Sequence, residues 1–452
     1  MAIPRRRFLG LALTTGIALA CEPWDEAAAG KILEAPAGSS AAEPKWKLTW
    51  DAAIETLAGN IRRLPAYRRP VLIEGAEYGG IWQECAPMEG LVYADLARYV
   101  PAAEGTPSPA EIARANHMAF FALQREDGQL PAAIKTNAVG YGQIQMVVPI
   151  AATAWELARR TGDEELLTMT YTACSRWDAW LRRYRDTRHT GLVEGFCTYD
   201  TGMDNSPRWA AMPRACPEGD ARRCPRVESL PRLCPDLSAT AYGGRVALGA
   251  MAEALGKKRE ADEWRDLAEK IRRLIIDKLY CPEDAAFYDL DAHGKFVRVR
   301  SVAIARVLGE HVLKLEIPSD RRIFHEVWAR QLGNAKAFWP RFPIPSIAMN
   351  DPTFVRPIPR NSWGGASQAL TALRAPRWMS HYGKHRELDH LMRQWVVAIN
   401  RSGNPAGGFW QQMDPATGEF TRSGKGGYSP AALVYLDFAR RLGLVGPRTQ
   451  RS

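Results

Sequence analysis

Apolar residues return at helical spacing through most of this 452-residue chain, and that recurrence limits the fold more than any other feature. Trp50, Ile54, Leu57, Ile61 and Leu64 mark the first stripe, over 48–64. Further segments follow at 94–100, 110–124 and 146–160, the last closed by Thr161 and Gly162. Asp163 is placed to cap the next helix, which runs to about Tyr184. Later helices are predicted over 239–255, 259–279, 299–309, 319–331, 365–374, 382–401 and 430–442. Strand signal is weak, with one short hairpin predicted at 286–299, turning at Asp291–Gly294. That turn lacks the ligand series of a calcium loop.

Roughly a dozen helices paired head to tail predict an all-α fold, a closed ring of helical hairpins of the (α/α)6 toroid type with a minor β-hairpin. A solenoid would carry a fixed sequence period, and none is visible. A ring gathers its connecting loops at one end, where a pocket can form.

Outside the ring, the N-terminus reads as an export signal. Arg5-Arg6-Arg7-Phe8-Leu9 resembles a twin-arginine motif, and an apolar run from Leu9 to Ala20 follows. Ala18-Leu19-Ala20 suits signal cleavage, and Cys21 is a candidate lipid-anchor site, although Ala18 stands where a lipobox has Leu. The expected organisation is a signal over 1–21, an Ala/Gly/Ser/Pro-rich tether over 22–46, the helical-ring domain over 47–447 and a short tail over 448–452. Export to the periplasm is the expected destination.

The net charge of +10 comes from 60 Lys plus Arg against 50 Asp plus Glu. Basic residues are scattered among acidic ones, with no basic block beyond the N-terminus and no nucleic-acid motif, so a nucleic-acid partner is not expected. His381, His385 and Glu387 come nearest to a metal pattern but read as surface residues. No metal site and no cofactor are expected. Cys216, Cys224 and Cys234 share one proline-rich loop, and a disulfide among them would staple it. Oligomeric state is not legible.

One loop has the composition of a chemical site. Tyr199–Trp209 reads Tyr-Asp-Thr-Gly-Met-Asp-Asn-Ser-Pro-Arg-Trp. Asp200 and Asp204 lie in it with Gly202 between them, and aromatic residues close both ends. Carboxyls beside aromatic faces suit sugar cleavage, where an acid protonates a leaving oxygen and rings stack on the sugar. An acidic surface turn has the same composition.

This loop is similar to a segment of glycoside hydrolase family 63 and its trehalase and mannosylglycerate hydrolase relatives. The likeness extends, in order, through Gln143-Ile144-Gln145, Asp236–Ala239, Phe338-Trp339, Pro343–Ser346, Arg360–Gly364, Asp414–Glu419 and Tyr428–Ala432. It implies an (α/α)6 catalytic domain acting with inversion on α-linked sugars. Asp204 falls at the general acid, and Asp200 at a Glu that binds sugar hydroxyls, from where it would also help raise the Asp204 pKa. Trp82, Glu84, Gln143 and Trp363 are expected in the pocket, with Trp339 and Trp410 as stacking rings. Arg208 is expected either to clamp a substrate carboxylate or to brace the loop.

At the general-base position the sequence departs from the resemblance, because Gln411 stands there. An amide cannot take a proton from water as a carboxylate does. Three accounts follow. Another carboxylate, Glu419 or Glu84, serves as base; Gln411 orients a nucleophile supplied differently; or the protein binds carbohydrate without cutting it. The sequence therefore predicts an exported glycosidase with a carbohydrate substrate, with a non-catalytic periplasmic sugar-binding protein as the alternative.

Overall fold

The computed structural model of the chain describes residues 45–100, 105–359, 363–402, 408–422 and 426–446. The twin-arginine run, Cys21 and most of the predicted tether lie outside these residues, as does Arg360. Twelve α-helices are present among the described residues. In chain order they are α1 (Lys45–Asn60), α2 (Ala86–Asp95), α3 (Pro109–Ala122), α4 (Ile150–Thr161), α5 (Glu164–Tyr184), α6 (Pro235–Ala254), α7 (Lys258–Leu279), α8 (Ala303–Gly309), α9 (Pro318–Val327), α10 (Ala369–His381), α11 (His385–Arg401) and α12 (Ser429–Arg441).

Even-numbered helices form the inner ring. Helix α2 packs on α4, α4 on α6, α6 on α8, α8 on α10 and α10 on α12, and α12 returns to α2. Each inner helix must bury more than one face, which explains its composition. Helix α12 buries Ser429–Ala439 without a break, and α2 buries Ala86–Tyr93. Outer helices show a single apolar stripe instead, as in α7, where Ala261, Trp264, Ala268, Ile271 and Ile275 face inward between charged neighbours. The toroid expected from periodicity is therefore the observed fold.

Helix ends follow local chemistry. Gly162 adopts the left-handed conformation that closes α4, with φ 67°, and the Asp163 carboxylate accepts from the Leu166 amide at 2.8 Å to start α5. Other boundaries shift from expectation. Residues 146–149 form a bend ahead of the helix, where the Met146 amide donates to the Asp200 carbonyl. Ile61–Leu64 leave the helical stripe and pair with Tyr67–Leu72 as a hairpin. The predicted later hairpin is present, Asp289–Leu290 against Phe296–Val297, with the Asp291 carboxylate accepting from the His293 and Lys295 amides across the turn. No helix among the described residues is long and apolar enough to cross a membrane.

Candidate active site

The loop carrying Asp204 hangs between two buried ion-pair anchors. At its start, the Asp200 carboxylate takes Arg185, the residue that ends α5, in a two-pronged pair at 2.5 and 3.1 Å. The Phe196, Cys197 and Ile144 amides also donate to it, and both members of the pair are 0% exposed. Asp200 is thus the knot that ties the loop to the ring, not a sugar contact, and it is not among the groups that shift Asp204.

At the far end, Arg208 is buried between two carboxylates, Asp236 at the start of α6 and Asp289 in the hairpin, at 2.5–2.8 Å. Its guanidinium is consumed by the protein, so of the two expected roles it has the bracing one. The Trp209 indole N–H donates to Thr201 Oγ1 at 2.8 Å and ties the two ends together.

Between these anchors Asp204 is only partly exposed, and its carboxyl is pushed up to about 7. Burial is the larger cause and the negative charge of Glu84 the second, opposed by Arg214. Glu84 lies directly beneath the loop. Its Oε2 would sit 1.9 Å from a Cβ on Gly202, so only glycine fits there, and the φ of +62° asks for glycine as well.

Glu84 belongs to a buried group of acids. Glu74 accepts from the Tyr428 hydroxyl at 2.7 Å, and Gln145 Nε2 donates to Glu84 Oε2 at 3.0 Å. Burial raises the Glu84 carboxyl, against the pull of the Gln145 hydrogen bond and of Arg374 and Arg306. Burial together with Glu84 and Glu89 pushes Glu74 well up, and Glu89 is raised to about 7. Glu74, Glu84 and Cys85 bring ligand-type atoms within 4.8 Å of one another. The carboxylates already hold Tyr428 and Gln145, and burial drives the Cys85 thiol up, so the group suits stored protons better than a metal. In the comparable trio of Cys197, Asp200 and Cys216, Arg185 has already taken the carboxylate.

Several expected residues do meet here. Gln143 donates to Gln145 at 3.2 Å and so reaches Glu84 through it. The Tyr78 hydroxyl donates to Gln411 Oε1 at 3.1 Å, and the Tyr78 ring meets Trp82 edge-on at 5.6 Å. Burial, then Glu74, Asp204 and Glu84, keep the Tyr78 phenol protonated, which places it among all three acids. Trp410 adjoins Gln411, beneath the Arg422 guanidinium at 5.4 Å.

Others do not fit the role expected of them. Trp363 is 2% exposed and underlies the Arg306 guanidinium at 5.3 Å, so it supports the pocket rather than stacking on a ligand. Trp339 packs on Trp328 and His390 in a separate aromatic cluster. Glu419 is exposed on a turn where Met413 pairs with Phe420, and it is not among the groups that shift Asp204. The expected disulfide within 216–234 is not formed; Cys216 instead places its sulfur 3.8 Å from Cys197.

Glu74, Tyr78, Arg306 and Arg374 lie outside the motifs quoted above, and Gln145, which lies in one of them, is given no role there. A signal exists for the first two, since Glu74-Gly75-Ala76-Glu77-Tyr78-Gly79-Gly80 sets acids and an aromatic among glycines. Gln145 has a positive φ of 44°, strain that only the folded chain displays.

Residues 101–429 match the family of the mannosylglycerate hydrolase MGH1-like glycoside hydrolase domain. The chain belongs to this family. Mannosylglycerate hydrolase of Rubrobacter radiotolerans is 24% identical over 293 residues, which is 54% of this chain and 61% of that protein. The family-63 mannosylglycerate hydrolase of Thermus thermophilus, solved with glucose, superposes with TM-score 0.65 at 20% identity, over 87% of this chain and 100% of that one. Neutral trehalase of Saccharomyces cerevisiae superposes with TM-score 0.62 at 13% identity, over 87% and 82%. These similarities show that the family's ring is shared, and the matched part of the Rubrobacter protein falls short of its full length.

Proposed function

We propose that the protein cleaves the glycosidic bond of a small glycoside with inversion, and that Asp204 protonates the departing oxygen. A sugar joined to a hydroxy acid such as glycerate is the first substrate class to test, given what the relatives are named for. The observation that carries this is Asp204 itself, a half-buried carboxyl on a loop braced at both ends above Glu84, pushed up to about 7 and still proton-bearing at neutral pH. Burial holds it there, helped by the charge of Glu84, and Trp82 and Tyr78 offer ring surface for a sugar. The twin-arginine run at Arg5–Arg7 supports export to the periplasm.

The test is turnover of glycosylglycerates and trehalose by wild type and Asp204→Asn, with ligand affinity measured beside it by calorimetry. The expected result is lost cleavage with retained binding. A sugar-binding protein without catalysis would turn over nothing, and the substitution would change affinity alone.

A further inference from the structure

Gln145 holds a backbone conformation that its side chain does not favour. Its φ of 44° lies in the left-handed region, where glycine is at ease and glutamine is strained. The neighbouring bonds show what forces it. The Ile144 amide donates to Asp200 Oδ1 and the Met146 amide to the Asp200 carbonyl, both at 2.9 Å. Asp200, itself fixed by Arg185, therefore grips the chain on either side of Gln145. Gln145 is buried, and both ends of its amide are used. Oε1 accepts from Gln143 at 3.2 Å, and Nε2 donates to Glu84 Oε2 at 3.0 Å. That oxygen is the one pressed against Gly202, two residues from Asp204. A turn alone would be made more cheaply with glycine, so the position keeps a side chain at a cost in strain.

We infer that Gln145 is a positioning residue for the reaction: Asp200 clamps it from both sides, and it clamps the Glu84 carboxylate beneath the loop of Asp204. This rests on the proposed role of Asp204 as the acid. Among the described residues, the Gln145 amide is the side-chain donor to the Glu84 carboxylate. The two arginines that attract Glu84 spend hydrogen bonds elsewhere. Arg374 Nη2 goes to the Glu84 main-chain carbonyl at 2.6 Å, and Arg306 Nη1 to the Thr201 carbonyl and Asp236. Glu74 and Glu89 repel Glu84 from within the cluster, and Asp204 faces it from the loop. The amide thus favours the charged form of Glu84 where burial opposes it. That charge in turn helps Asp204 keep its proton. Asp200 therefore reaches the acid through Gln145 and Glu84, although it is four residues away on the same loop.

The experiment compares full-length wild type with Gln145→Met, which keeps the length and removes the donor, and Gln145→Gly, which also relieves the strain. Asp204 is titrated by carbon NMR, and the kcat/KM profile against pH is measured on glycosylglycerates and trehalose. Both variants should lower the Asp204 midpoint and the alkaline limb by about half a pH unit, roughly threefold in rate at about pH 8. In the Glu84→Gln background neither should move them further. The glycine variant should melt above the methionine variant. A midpoint unmoved in both variants, or a shift that survives in the Glu84→Gln background, would overturn the clamp. Loss of the fold in both would make Gln145 part of the scaffold and overturn it too. Undiminished turnover by Asp204→Asn would overturn the acid instead, and the NMR midpoint would still decide the clamp.

Discussion

Asp200 and Asp204 lie four residues apart on one loop, yet their surroundings are opposite. Asp200 is fully buried, and Arg185 and three backbone amides satisfy it. Asp204 is only partly buried, and the charge that acts most on it is another carboxylate, Glu84. The same contrast recurs across the molecule. Burial would raise Asp236, but Arg208 outweighs it and holds the carboxyl below its ordinary range. Glu74, Glu84 and Glu89 are equally deep and are all raised. Burial alone therefore does not separate scaffold from chemistry. A paired guanidinium makes a buried acid a rivet, and a neighbouring acid makes it a store of protons.

Breaking each side of the contrast should have a different signature. Asp204→Asn should slow cleavage by about 10²–10⁴-fold while the fold gains about 1 kcal/mol. The sign follows from linkage: folding raises this carboxyl from 3.8 to about 7, so native stability is lost as pH climbs through that window. The asparagine variant should lack that loss, which urea unfolding at several pH values would measure.

Asp200→Asn should do the reverse. Stranding the buried Arg185 charge should cost about 3–5 kcal/mol in unfolding, and changing both residues to methionine should recover much of it. Activity per folded molecule should fall far less than with Asp204→Asn.

Glu84→Gln sharpens the electrostatic claim. Removing its charge lowers the Asp204 pKa, so the alkaline limb of the kcat/KM profile moves to lower pH. A one-unit move would cut the rate at about pH 8 by roughly tenfold. Smallest of all is Glu419→Gln, expected to change stability by less than about 0.5 kcal/mol and the rate not at all.

The ring is legible in the sequence because inner and outer helices differ in how many faces are apolar, and a 3.6-residue period records that directly. Asp204 is legible through its motif. The role of Asp200 is not, because its partner, Arg185, sits beyond a strand and a turn, and no local spacing announces the pair. Glu419 is drawn in by its closeness in sequence to Gln411, whereas the 413–420 pairing places it on an exposed turn. The acid cluster escapes a linear reading because Glu74, Glu84 and Asp204 come from three separate loops that only ring closure assembles.

The most direct test is titration of the Asp204 carboxyl itself, by carbon NMR of aspartate-labelled protein with Asp204→Asn to assign the signal. The account predicts a midpoint near 7 that falls in Glu84→Gln. A midpoint near 4, unmoved by that change, would contradict it.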